Sequence, residues 1–187
     1  MIKAGQIDKS TFLFFKNEPC MVVEREFVNP GKGSAFCRVK LKGLTSGKVY
    51  QETFKTQDNV EDIQVEEKTC QYLYSDNEAY HFMHNDTYEQ FEVPMEGLED
   101  RLQYMKDGDS YRVVLWEDKP IDIKIPPKIV YTVVDAPEAI KGDTATNVTK
   151  VVTLDTGLKV KAPFFIKEGE KILVNTETNE YVERVNE

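Results

Sequence analysis

The chain has few of the residues that most often carry chemistry. Its three cysteines, Cys20, Cys37 and Cys70, are odd in number and form no Cys-x-x-Cys pair. Neither a disulfide framework nor a structural zinc site fits that pattern, and the expected role is that of small buried apolar side chains. Its two histidines, His81 and His84, stand three apart in HFMH, a spacing that on a strand points them to opposite faces and away from a shared metal. No run approaches the roughly 20 apolar residues of a membrane span. Asp8 and Lys9 interrupt the N-terminus, which lacks the apolar centre of a signal peptide. A cytoplasmic chain with no membrane partner is the expectation. The phosphate-loop pattern Gly-x-x-x-x-Gly-Lys-Ser/Thr is also missing. Adjacent acids such as Glu66-Glu67, Glu99-Asp100 and Glu117-Asp118 diverge on a strand and read as solvated charge, not as a hydrolase pair. No catalytic residue, metal or cofactor is expected, and the chain does not read as an enzyme.

What is present is a β-rich, acidic chain of 187 residues with net charge −9, 40% hydrophobic content, ten Phe and nine Tyr. That supports folded cores, while a mean hydropathy of −0.50 describes a soluble protein. The charge is unevenly spread. Residues 1–64 carry ten Lys and Arg against eight Asp and Glu, residues 65–126 six against fifteen, and residues 127–187 eight against ten. From Asn29 to Tyr50 there are five basic residues, Lys32, Arg38, Lys40, Lys42 and Lys48, and no acid.

Short runs rich in Val, Ile, Tyr, Phe and Thr recur between turn signals, among them TFLFF, CMVVEREFV, AFCRVKL, CQYLYS, YRVVLW, IVYTVV and KILVN. One segment, GLEDRLQYM, repeats apolar residues at helical spacing, with Leu98, Leu102 and Met105 at i, i+4 and i+7. An all-β chain with one short helix follows. Many short, closely spaced strands suggest small barrels, and about 60 residues per barrel suits SH3-like and five-stranded OB architectures. Seams fall near residue 64 and at Pro126-Pro127, where two residues without an N–H cannot continue a central strand. Three barrels are expected, at 1–64, 65–127 and 128–187.

In AFCRVKLK the period of two puts Ala35, Cys37, Val39 and Leu41 on a core face and Phe36, Arg38, Lys40 and Lys42 on a cationic one. Three basic residues alone read as a solvated strand face. The lack of acids across the segment shifts the reading toward phosphate binding, which needs unpaired cations. Just before this strand, NPGKGSAF holds Lys32 between Gly31 and Gly33 behind Pro30. Proline stiffens the entry, and the two glycines allow close backbone approach. The expected product is a narrow, braced tip with one long side chain. A Schiff-base lysine does not fit an exposed tip, since such a lysine is usually activated by desolvation or a cationic neighbour. An isolated Pro-Gly-Lys-Gly would be an ordinary turn with a solvated lysine.

The context removes that isolation. GKGSAFCRVKLKGLTSGKVYQETFK near the start, and GDTATNVTKVVTLDTGLKVKAPFFIKEGEKILVNTETNEYVERV over residues 142–185, resemble the tip hairpin and C-terminal signature of bacterial elongation factor P, in the right order. The resemblance spans essentially the whole chain. It implies an SH3-like (KOW-type) domain followed by two OB-fold domains in an L-shaped, tRNA-like arrangement. It also implies a cytoplasmic monomer bound to the 70S ribosome between the P and E sites, promoting peptide-bond formation at consecutive prolines. Lys32 matches the tip residue that reaches toward the peptidyl-transferase centre and is often extended by a modifying enzyme. Arg38, Lys40 and Lys42 would then contact rRNA or P-site peptidyl-tRNA backbone. Gly142, Asp143 and Thr144 match a loop that approaches the mRNA codon in the E site. Asn29, Ser34 and Val151-Val152 depart from the family's common residues. A lysine tip excludes the rhamnosylation of arginine-tipped members, leaving a β-lysyl or aminopentanol type of extension, or a bare lysine. Two other readings remain: a generic OB-fold single-strand binder, which would show exposed aromatics along a basic groove, and a paralogue with a different regulatory role.

Overall fold

The computed structural model describes residues 1–138 and 148–185. Strands β1 (Ile2–Lys3), β2 (Phe12–Phe15), β3 (Glu18–Val28), β4 (Phe36–Gly43), β5 (Val49–Lys55) and β6 (Asn59–Val60) make up the first part. Strands β2 to β5 form an antiparallel meander, and β1 pairs with β6. In β4 the alternation works as its sequence demands: Cys37, Val39 and Leu41 are buried while Arg38 is exposed. Those three side chains join Ala4, Ile7, Leu13, Cys20 and Val22 in one apolar cluster, each fully buried aliphatic contributing about 1.5–3 kcal/mol.

The second part comprises β7 (Glu66–Ser75), β8 (Ala79–His84), β9 (Gln90–Pro94), β10 (Ser110–Trp116) and β11 (Lys119–Lys124). The third comprises β12 (Lys128–Asp135), β13 (Thr149–Leu154), β14 (Lys159–Pro163), β15 (Lys171–Asn175) and β16 (Glu180–Val185). The sheet orders are β11-β10-β7-β8-β9 and β14-β13-β12-β15-β16. Numbered within each part, both put the first strand in the centre, flanked by the second and third on one side and the fourth and fifth on the other. This is the antiparallel connectivity of a five-stranded OB barrel. The expected all-β class therefore holds.

The described residues divide into two compact units, Met1–Asp100 with Ser110–Lys124, and Arg101–Asp109 with Ile125 onward. Within the first unit, Phe12 and Leu44 pack with Val114 and Ile121, and the rings of Phe14 and Trp116 lie 5.7 Å apart. Within the second, the Tyr104 hydroxyl donates to Asn179 Oδ1 at 2.8 Å and the Tyr131 hydroxyl donates to the Tyr104 carbonyl at 2.9 Å.

The expected short helix forms as a 3-10 segment, Glu99–Tyr104. Of the three residues expected on its apolar face, Leu98 and Met105 are buried while Leu102 is 43% exposed; with three residues per turn the segment buries Tyr104 in place of Leu102. The i, i+4 spacing therefore does not describe its buried face. The three cysteines are free and buried. His81 pairs with Asp76 and stacks on Tyr74, whereas His84 stacks on Phe91. Among the described residues, no helix is long and apolar enough to cross a membrane.

Candidate functional site

Strands β3 and β4 form a hairpin that ends with Val28 opposite Phe36. Residues 29–35 close it. Gly33 sits at φ 110°, in the region that side chains rarely adopt, and a Cβ placed on Gly31 would meet nothing within 4 Å. The loop is thin where the sequence predicts it to be. Its exit is tied down by the Thr56 N–H donating to the Ala35 carbonyl at 3.1 Å. Lys32 is exposed, and among the described residues no hydrogen bond or ion pair engages its ammonium.

Strand β4 is paired on both sides, with β3 and with β5, along most of its length. Arg38 and Lys40 project from it beside the loop. The Arg38 guanidinium lies 5.4 Å from the centroid of the Phe36 ring. The expectation of unpaired cations fails here. Arg38 Nη1 donates to Glu26 Oε2 at 3.3 Å, Lys40 Nζ donates to Glu24 Oε1 at 3.1 Å, and Lys42 Nζ lies 4.0 Å from Asp100 Oδ1. An acid-free run along the chain is not an acid-free surface, because the neighbouring strand supplies the carboxylates. These pairs are open to water, with the Arg38 and Glu26 side chains 59% and 62% exposed. Such pairs contribute about 0–1 kcal/mol and exchange readily for another anion. On the β5 side, the uncharged Gln51 and Thr53 stand directly opposite Lys40 and Arg38, with Glu52 lining the same groove.

The far end of β4 is held by Glu18, a buried carboxylate at the start of β3. Its Oε1 accepts from the Ser46 hydroxyl at 2.8 Å and the Tyr50 hydroxyl at 2.8 Å, and its Oε2 accepts from the Ser46 N–H at 3.0 Å. Burial pushes its pKa up, but the Ser46 and Tyr50 hydrogen bonds outweigh that and hold it below the usual carboxylate range. The same bond raises the Tyr50 hydroxyl. Gly43 lies directly against this carboxylate, since a Cβ there would fall 2.5 Å from Glu18 Oε2. The strand that presents the cations is thus fixed at its base as well as along both edges.

The structure brings together Pro30, Gly31, Lys32, Gly33, Arg38, Lys40 and Lys42 on one hairpin. Gly142, Asp143 and Thr144 lie outside the described residues. Sequence reasoning missed Glu24, Glu26 and Glu18. Glu24 and Glu26 were findable, since a hairpin closed at residues 29–35 must lay the stretch before the loop beside the stretch after it.

A meander with a β1–β6 ribbon followed by two five-stranded sheets of OB connectivity defines an all-β, SH3-like-plus-OB class, and comparison with known proteins makes the class specific. Family models match in order: the elongation factor P KOW-like domain over residues 3–60, the elongation factor P OB domain over 65–123, and the elongation factor P C-terminal domain over 129–184. The elongation factor P of Treponema denticola is 51% identical over 186 residues, covering 100% of both chains. That of Borrelia duttonii is 50% identical over 187 residues, covering 98% of this chain and 97% of its own. A solved structure of eukaryotic translation initiation factor 5A from Methanococcus jannaschii covers 66% of this chain and 91% of its own, with a TM-score of 0.51 at 22% identity, a likeness of fold. The chain belongs to the elongation factor P family, a family of translation elongation factors.

Proposed function

We propose that this chain binds the ribosome in the cytoplasm between the P and E sites, as three small domains at 1–64, 65–127 and 128–187, and promotes peptide-bond formation at consecutive prolines by positioning peptidyl-tRNA. The observation that carries the reading is Lys32, an exposed lysine on a thin glycine-flanked tip. A crowded RNA cleft excludes a bulky protein surface and admits one extended side chain. The factor donates neither a nucleophile nor a proton. Holding the CCA end of the peptidyl-tRNA raises the fraction of encounters in productive geometry, which matters most when the reactant is a stiff, slow proline.

In this reading Arg38, Lys40 and Lys42 exchange their carboxylate partners for RNA phosphates and fix the register of the hairpin without reading sequence. Gly142, Asp143 and Thr144 suit contacts to the E-site codon, since Asp accepts and Thr both donates and accepts hydrogen bonds. A lysine-modifying enzyme is a natural partner for an ammonium presented this openly. The test is a translation assay with a proline-stretch reporter. Lys32→Ala abolishes relief of stalling while leaving the fold intact, and full activity in that variant would refute the assignment. Intact mass of protein from its native cell reports whether Lys32 carries an extension.

A further inference from the structure

We infer that Glu24 and Glu26 are built-in competitors of RNA phosphate: they occupy Lys40 and Arg38 in the free protein, keep the two cations oriented, and restrain their binding to RNA that does not fit. The inference rests on the proposed role of Arg38 and Lys40 as RNA contacts, and it adds the two residues that set their selectivity.

The pairing depends on one backbone feature. Val22 opposes Leu41, and both are buried. The register then shifts, with Val23 bulged out, so that Glu24 opposes Lys40, Arg25 opposes Val39 and Glu26 opposes Arg38. Continued without the bulge, the same pairing would set Glu24 against Val39 and Arg25 against Arg38. That arrangement puts a carboxylate opposite a core valine and two guanidinium groups side by side, which like-charge cross-strand pairs disfavour. A bulge costs a ladder position and shifts every later side chain by one place. Here it converts a like-charge row into two matched pairs, at 3.3 Å and 3.1 Å.

The pairs are poor stabilisers, being solvent-open. Their effect falls instead on binding. An isolated phosphate that approaches Arg38 or Lys40 must displace a carboxylate already at hydrogen-bond distance, so loosely fitting RNA gains little from the contact. A slot that fixes several phosphates at once outcompetes both carboxylates and finds the cations already aimed. On the other flank the residues directly opposite these cations, Gln51 and Thr53, carry no charge.

The experiment uses the full chain and measures affinity for two probes, ribosomes carrying P-site tRNA and an unstructured oligoribonucleotide. Neutralising both carboxylates in E24Q/E26Q tightens binding to the oligoribonucleotide roughly 3- to 10-fold, as release of two exposed pairs allows, and tightens ribosome binding by less, so discrimination falls. In the R38Q/K40Q background the same neutralisation changes affinity less than twofold, which separates release of these cations from a general loss of negative charge. Thermal melting of each variant checks that the hairpin is folded. Unchanged or weaker RNA binding by folded E24Q/E26Q would overturn the inference. Undiminished ribosome binding by R38Q/K40Q alone would instead overturn the reading of the cations as RNA contacts.

Discussion

The contact between Gly43 and Glu18 makes a sharp prediction about what holds the candidate site in place. Removing the Glu18 side chain in Glu18→Ala leaves the Ser46 N–H and two hydroxyls without their acceptor. Water can reach the half-buried Ser46 and Tyr50, so the cost is dominated by the N–H and the lost charge-assisted bonds, about 2–3 kcal/mol. Glu18→Gln costs less, about 1 kcal/mol. Its oxygen can still accept from the Ser46 N–H, and its amide can donate to hydroxyls that also accept. Gly43→Ala places a methyl 2.5–2.6 Å from the carboxylate atoms and drives that carboxylate off its donors, so it costs about as much as Glu18→Ala. In the Glu18→Ala background the clash has no partner. There Gly43→Ala becomes neutral or stabilising by up to about 0.5–1 kcal/mol, because a glycine inside a strand is less favourable than alanine. The double variant is therefore no less stable than Glu18→Ala, and a coupling of about 2–4 kcal/mol emerges from the cycle. Urea unfolding of the four proteins measures it. Additivity within about 0.5 kcal/mol would refute the steric argument.

Other predictions follow from single contacts. Asp76 accepts from the Glu78 and Ala79 N–H groups and pairs with His81 Nε2 at 2.7 Å. The His81 contact, then the two backbone donors, lower its pKa to about 2. A carboxyl depressed on folding stabilises above its unfolded pKa of about 3.9 and loses that contribution as pH falls toward its folded value. Unfolding midpoints between pH 6 and pH 2 should thus fall less steeply in Asp76→Asn than in the parent, and identical acid limbs would contradict the assignment. Tyr104→Phe removes the bond to Asn179 and costs about 1 kcal/mol, readable as a lower denaturant midpoint in the unfolding of the second unit. A loss below about 0.3 kcal/mol would show that this bond contributes nothing net.

Much of the fold was legible because β-sheet alternation and turn chemistry are local signals. The core face of β4 followed from a period of two, and Cys37, Val39 and Leu41 are buried as read. The tip loop followed from Pro30, Gly31 and Gly33. What was not legible depended on partners distant in sequence or on a break in regularity. The turn before β3 lies at Lys16 and Asn17, both at positive φ, so Glu18 is a strand residue with a buried carboxylate. Its donors sit 28 and 32 residues away, beyond any local pattern. The bulge at Val23 leaves no composition signal, yet it decides which charges face each other. The acid-free span from Asn29 to Tyr50 misled for the same reason: pairing, not chain order, sets the electrostatic neighbours of Arg38 and Lys40.

The central claim is that Lys32 enters an RNA-walled space near the reacting ends of peptidyl-tRNA. Its most direct test tethers an iron chelate to a Lys32→Cys variant, with the buried native thiols left unlabelled, and generates hydroxyl radicals on ribosomes stalled at consecutive prolines. The account predicts strand cleavage confined to rRNA of the peptidyl-transferase centre and to the CCA end of the P-site tRNA. Cuts elsewhere on the ribosome, or none above the unlabelled control, would contradict it.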